Sequence, residues 1–368
     1  MNKLSNNIVK FSAGNTSPYE MFADYMCHYY AEVQKKNVGP YDTSVSFAEK
    51  DAKMHKALLN EIYRVSGQRI PEGMSDELIS SNPNLRWAAF AVVDMMIETI
   101  LPAVIIDNIG LYTDIRFIDW GDVSMFEVPS RALFTVSNGG SAQRTTMRQK
   151  QYKGNQTVAV TNHLITAQVD MYRVLAGRDN LGEFARRAVL AIEQDMTREA
   201  YDAVLAGLTG VNVPAELKYE GAFDMERLIK MCQVVGAYNY NMKPIIAGTT
   251  VGLMKVLPDS AAGYRLNTPA DGIKIDLIRT AYTYDFMVLP QVATGDFQNY
   301  SLALNDNTLF VLSPAADKLV RGVVEGSTLT HSNDFYDNAN LTSNFTISKR
   351  YGFDYISGAT AGSYTITA

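Results

Sequence analysis

FEVPSRALFTVSNGG (126–140), SAQRTTMRQKQYKGN (141–155), QTVAVTNHLITAQVDMYRVL (156–175) and LGEFARRAVLAIEQDMTREAYDAVLAGL (181–208) follow one another almost without interruption. The first and third are rich in β-branched and aromatic residues, the pattern of strands. The second has almost no large apolar residue and reads as the polar tip between them. Together they predict an extended hairpin. A long hairpin buries little of itself and is marginal in isolation, so it suits a protein that laps over its neighbours. The fourth stretch predicts one long helix, with Asp179 and Asn180 as caps and Gly207 and Gly210 as terminators. No Gly or Pro stands between Glu183 and Ala206. Leu181, Ala185, Ala188, Ile192, Met196, Ala200, Ala203 and Val204 fall near one stripe, with Arg186, Arg187, Glu193 and Arg198 elsewhere. At 1.5 Å per residue the rod spans about 40 Å.

Charge singles out the hairpin. The 368-residue chain carries a net charge of −6, yet from Val128 to Val169 there is no Asp or Glu. Arg131, Arg144, Arg148, Lys150 and Lys153 all lie in that acid-free segment. A basic tip on an acidic subunit points to complementary contact with another copy, and Arg144, Arg148, Lys150 and Lys153 are the expected contact residues. A protein that grips nucleic acid with its whole surface is usually basic, so this acidic chain does not fit that class.

Working outward, residues 1–44 are polar and aromatic and read as an arm ordered by a partner surface. Helices are expected over 46–66, ended by Gly67, and around 83–101, where Asn82 caps and Pro83 occupies the first position. The apolar run from Trp87 to Ile106 contains Asp94, Glu98 and Pro102. Two charges facing lipid are costly, so the run reads as a buried helix and not as a membrane span. Beyond the rod, a helix (223–237), a strand (243–249), a short helix (251–258) and strands near 273–280, 285–290 and 301–314 predict an α+β unit with a mixed sheet. Residues 316–368 are β-rich and expected to return to the rod. The predicted divisions are therefore 1–44, 45–110, 111–175, 176–215, 216–315 and 316–368.

Signatures of chemistry are missing. Cys27 and Cys232 form no CxxC pair, and His28, His55, His163 and His331 share no metal-binding spacing. His163, alone in a β segment, reads as a packed or surface residue and not as a base. Asp334 and Asp337 lie in NDFYDNANLTSN (333–344), which offers oxygen ligands but not the spacing of a calcium loop; a polar turn is expected there. There is no nucleophile elbow, phosphate loop or dinucleotide fingerprint. No enzymatic activity, cofactor or metal is expected.

The order of parts resembles the Hong Kong 97-type capsid fold of tailed-phage major capsid proteins. ALFTVSNGGSAQRTTMRQKQYKGNQTVAVTNHLITAQVDMYRVLAGRDN matches its extended loop (E-loop) and base, and 181–208 its spine helix in the peripheral (P) domain. FDMERLIKMCQVVGAYNYNMKPIIAGTTVGLMKVLP is similar to the helix–strand–helix of its axial (A) domain, and LFVLSPAADKLVRGVVEG to the strand entering the closing β-structure. The resemblance covers about residues 110–368, with an N-arm before it, and implies an α+β shell subunit. It further implies hexamers and pentamers of an icosahedral virion capsid, assembled in the host cytoplasm around double-stranded DNA that is enclosed without specific binding. Separate scaffolding, portal and decoration proteins would be further partners, and no membrane would be involved. Two alternatives are an encapsulin-like nanocompartment shell, which shares the fold, and an unrelated α+β enzyme with a dispersed site.

Overall fold

A computed structural model describes residues 17–68, 82–109, 112–129, 134, 136, 138, 149–150, 153–169, 181–210, 213–256, 280–281, 284–294, 300–314, 316–332 and 343–367. In chain order the elements are α1 (Pro18–Tyr29), continued by a π-helical turn (Tyr30–Gln34), α2 (Phe47–Ser66), α3 (Pro83–Ile109), β1 (Thr113–Ile118), β2 (Met125–Pro129), β3 (Lys153–Thr157) and β4 (Thr161–Val169). There follow α4 (Leu181–Thr209), β5 (Lys218–Gly221), α5 (Met225–Tyr238), β6 (Ile245–Gly248), α6 (Thr250–Val256), β7 (Thr280–Ala281) and β8 (Tyr284–Val288). The chain ends with β9 (Thr308–Leu312), β10 (Val320–Ser332), β11 (Ser343–Tyr355) and β12 (Gly362–Ile366). The class is α+β, as the sequence indicates.

The helices form where local chemistry favours them. Ser46 accepts from the Glu49 amide at the start of α2, and Gly67 ends it at φ +67°, a conformation that costs glycine little. Asn82 accepts from the Asn84 amide at the head of α3. That helix runs to Ile109, beyond the expected end near 101, and carries Pro102 in its interior. Ile100, Leu101, Val104 and Ile105 around it are buried, so tertiary packing outweighs the lost backbone bond. By length and composition α3 could cross a bilayer, but most of its described apolar side chains lie in the protein core, with Trp87 and Met95 exposed.

The main core joins α1, α2, α3 and α4 to a four-stranded sheet ordered β1-β10-β11-β4. β1 pairs with β10 in parallel, Thr113 opposite Val320, and the other two pairings are antiparallel. The arm expected over 1–44 differs in its described part. Phe22, Tyr25, Met26 and Tyr30 are fully buried against the chain's own helices, because Ser17 caps α1 and its apolar face finds α2 and α3 as partners. Asp24, itself buried, accepts from buried Lys50 of α2 and from the Asp42 amide. Tyr30 donates to Glu193 of the rod at 2.5 Å. Glu193, placed off the buried stripe by its charge, is therefore buried.

A second core lies between α5, α6 and a six-stranded mixed sheet ordered β5-β12-β9-β6-β8-β7. Leu228, Cys232, Leu253, Leu309 and Tyr364 are among its buried residues. The expected mixed-sheet unit is thus present, but one part of it comes from elsewhere. Residues 316–368 divide between the two sheets, and β12 also touches the rod, where the Ser363 hydroxyl donates to the Leu208 carbonyl. β10 and β11 pack on α4, whereas β12 enters the mixed sheet between β5 and β9. Tyr364 of β12, fully buried, accepts from the Asp224 amide at the head of α5 and donates to the Asp224 carbonyl.

Candidate inter-subunit surface

The expected hairpin is present as a short ribbon. β2 and β3 pair antiparallel over five residues each, from Met125 opposite Thr157 to Pro129 opposite Lys153. The ribbon does not continue into one long strand over 156–175. After Thr157 the chain turns inward at Val158, and β4 leaves to pair with β11 over Thr161–Val169. The reason is burial: Val158 joins Phe126, Val323 and Ile356 in a small apolar cluster, which pulls the strand off the ribbon.

Phe126 anchors the ribbon. Its side chain is 1% exposed, and burying a phenylalanine contributes about 2–3 kcal/mol. The Arg116 guanidinium lies 4.1 Å from its ring centroid and donates to the Met125 carbonyl at 2.9 Å. Above this anchor every residue of β3 is exposed. Val123, Met125, Phe134 and Val136 turn apolar side chains to solvent, the last at 90% exposure. The turn before the ribbon is pinned from the sheet: the Gly121 amide donates to Glu325 at 2.8 Å, and Trp120 covers Gly326, which sits at φ +62°.

Of the four expected contact residues, Lys150 is exposed, and Lys153 is exposed but pairs with Glu127 of β2 at 2.6 Å. The acid that meets Lys153 stands one position before the acid-free segment. Arg144 and Arg148 lie outside the described residues, as do Asp179, Asn180, Asp334 and Asp337. The two cysteines are buried and free, and desolvation pushes their thiols up to about 11 for Cys27 and about 12 for Cys232. Such thiols are poor nucleophiles.

Two polar clusters join residues whose partners the sequence did not reveal. In the first, Asp94 and Glu98 of α3 face the sheet. Glu98 accepts from Lys349 of β11 at 2.5 Å and from the Thr328 amide at 2.6 Å, and Asp94 accepts from Thr330 of β10 at 2.6 Å. The other Asp94 oxygen is buried without a partner. Desolvation, with a smaller push from Glu98, raises the Asp94 carboxyl to about 7. In the second, His163 of β4 stacks on Tyr351 at 3.8 Å between centroids and stands between two carboxylates of α4. Its Nδ1 is 3.0 Å from Asp195, and its Nε2 is 3.2 Å from Glu199. Asp195 also accepts from Tyr351 at 2.5 Å and from Arg198. Desolvation, then the nearby Asp195, pushes Glu199 up to about 7.

No family model matches the sequence, and no curated protein matches it. Solved structures similar to it include phage capsids. The asymmetric unit of the bacteriophage PhiM1 mature capsid aligns at TM-score 0.47 and 11% identity, over 70% of this chain and 86% of that one. The capsid of the native GTA particle aligns at TM-score 0.47 and 12% identity, over 71% and 90%. A virus-like particle from Pyrococcus furiosus aligns at TM-score 0.40 and 9% identity, over 72% and 97%.

Proposed function

We propose that this chain is the major capsid protein of a tailed phage, a structural subunit and not an enzyme. The observation that carries the reading is the ribbon. It is tied to its own subunit at Phe126, exposed along all of β3, and flanked by exposed Val123, Met125, Phe134 and Val136. A small ladder with one buried anchor gains little from its own fold, and exposed apolar side chains of this kind are satisfied by a neighbour's surface. Identical copies supply that neighbour at every position of a closed lattice, so weak contacts multiply around it. The role is mechanical: hexamers and pentamers lap their ribbons over adjacent copies, and Arg144, Arg148 and Lys150 meet acidic surface there. Double-stranded DNA is enclosed without specific contact, in keeping with the net charge of −6. Scaffolding, portal and decoration proteins act as separate partners during assembly in the host cytoplasm.

The test is electron microscopy and analytical ultracentrifugation of the purified chain, beside a variant in which residues 131–150 are replaced by a short Gly/Ser linker. The expected result is closed shells for the parent chain and, at unchanged circular dichroism, only small species for the variant. A parent chain that stays monomeric or dimeric at millimolar concentration overturns the proposal, as do shells built equally well without the ribbon tip. DNA inside native particles supports the phage reading; a cargo protein there replaces it with a nanocompartment.

A further inference from the structure

Three side chains 32 or more residues apart from one another, or one helical turn apart on the rod, converge at the junction of β4 and α4. His163 projects from β4, and Asp195 and Glu199 from one face of α4; one ligand atom from each lies within 4.8 Å of the others. The details decide what the junction is for. Asp195 collects three donors: the Tyr351 hydroxyl, Arg198 and the His163 ring at Nδ1. With Nδ1 on Asp195, the ring turns Nε2 toward Glu199. A Glu199 oxygen lies 3.2 Å from Nε2, and His163 is the only hydrogen-bonding or ion-pairing partner of Glu199 among the described residues.

We propose that this junction binds a divalent cation of borderline softness, of the zinc or cobalt class, through His163 Nε2 and a Glu199 oxygen. Bonds of about 2.0–2.2 Å to nitrogen and oxygen ligands place neighbouring donors about 3–3.5 Å apart, and 3.2 Å falls within that span. Thr161 supplies a third atom. Its Oγ1 is 2.9 Å from Nε2 and 3.4 Å from the Tyr351 carbonyl, so when its proton goes to that carbonyl its lone pairs face the cation. Water completes the coordination. Asp195 is not a ligand: it holds the imidazole by Nδ1, the carboxylate–histidine–metal relay that fixes tautomer and ring direction. Tyr351, stacked on the ring, and Arg198 hold Asp195 in turn. A groove of about 290 Å³ lined by His163, Asp195, Arg198 and Lys349 adjoins the junction on the His163 side. The ion would pin the strand that leaves the ribbon to the rod, joining two elements that otherwise meet here through His163 and Tyr351.

The experiment uses the full chain stripped with EDTA and titrated with zinc by equilibrium dialysis and with cobalt by visible absorption. One ion per chain is expected, with amide exchange over residues 161–169 slowed when zinc is added. His163→Ala and Glu199→Gln, checked for folding by circular dichroism, should each weaken binding at least tenfold and abolish the change in exchange. Asp195→Asn should weaken it about 10–100-fold as a residue acting through the histidine. Absence of saturable binding to the parent chain overturns the proposal. So does stoichiometric binding that survives both His163→Ala and Glu199→Gln, which would place the ion elsewhere.

Discussion

Replacing Asp94 by Asn should stabilise the protein at alkaline pH and do nothing at acid pH. Asp94 keeps one oxygen on Thr330 and buries the other without a partner, and desolvation lifts its carboxyl from 3.8 to about 7. A carboxyl whose folded pKa is raised binds its proton more tightly in the native chain than in the unfolded one. Stability is therefore highest below about 4 and falls as pH climbs through 4 to 7, because unfolding then releases the side chain to shed its proton into water. Each pH unit is worth about 1.4 kcal/mol, so the gap from 3.8 to about 7 sets a ceiling near ~4 kcal/mol. Asp94 is only half-buried, and solvent screening reduces this to about 2 kcal/mol. Asparagine is neutral, nearly the same size and still able to accept from Thr330. Urea unfolding of both chains at pH 4 and pH 8 is the assay. Asp94→Asn should gain about 2 kcal/mol at pH 8 and differ little at pH 4. A variant less stable than the parent at pH 8, or a difference equal at both pH values, would refute the reasoning.

Two further substitutions test other parts of the fold. Lys50→Met leaves Asp24 buried with only the Asp42 amide for company and should cost about 3–5 kcal/mol in urea unfolding, most of it recovered when Asp24→Leu is added. Gly326→Ala places a Cβ 2.2 Å from the Trp120 ring at φ +62°, so it should destabilise by about 2 kcal/mol or more and shift Trp120 fluorescence toward that of a solvent-exposed indole.

The helices were legible because their signals are local. Ser46 and Gly67 bracket α2, and the stripe through Ala185, Ala188, Ile192, Met196 and Ala200 is the buried face of the rod. What periodicity could not show is where a polar residue finds its partner. Glu193 is buried because Tyr30, far back in the chain, reaches it. The inward turn at Val158 was equally hidden, since QTVAVTNHLITAQV reads as one strand and only the distant residues Val323 and Ile356 show where it bends. Of the contact surface, the ribbon and its charge asymmetry were legible, whereas its Phe126 anchor and the Lys153–Glu127 pair needed the register. The His163 junction left no trace, because its ligand atoms come from a strand and a helix and share no spacing.

The seat of β12 between β5 and β9 has a consequence for biosynthesis. Residues 362–366 leave the ribosome about 140 positions after β5, which at 5–20 residues per second is a delay of about 7–30 s. Throughout that interval β5 lacks its partner strand, and once β9 (Thr308–Leu312) is made it too offers an unpaired edge to any other nascent chain on the same message. Closure of the sheet by its last strand thus leaves an edge open to wrong pairing until translation is complete.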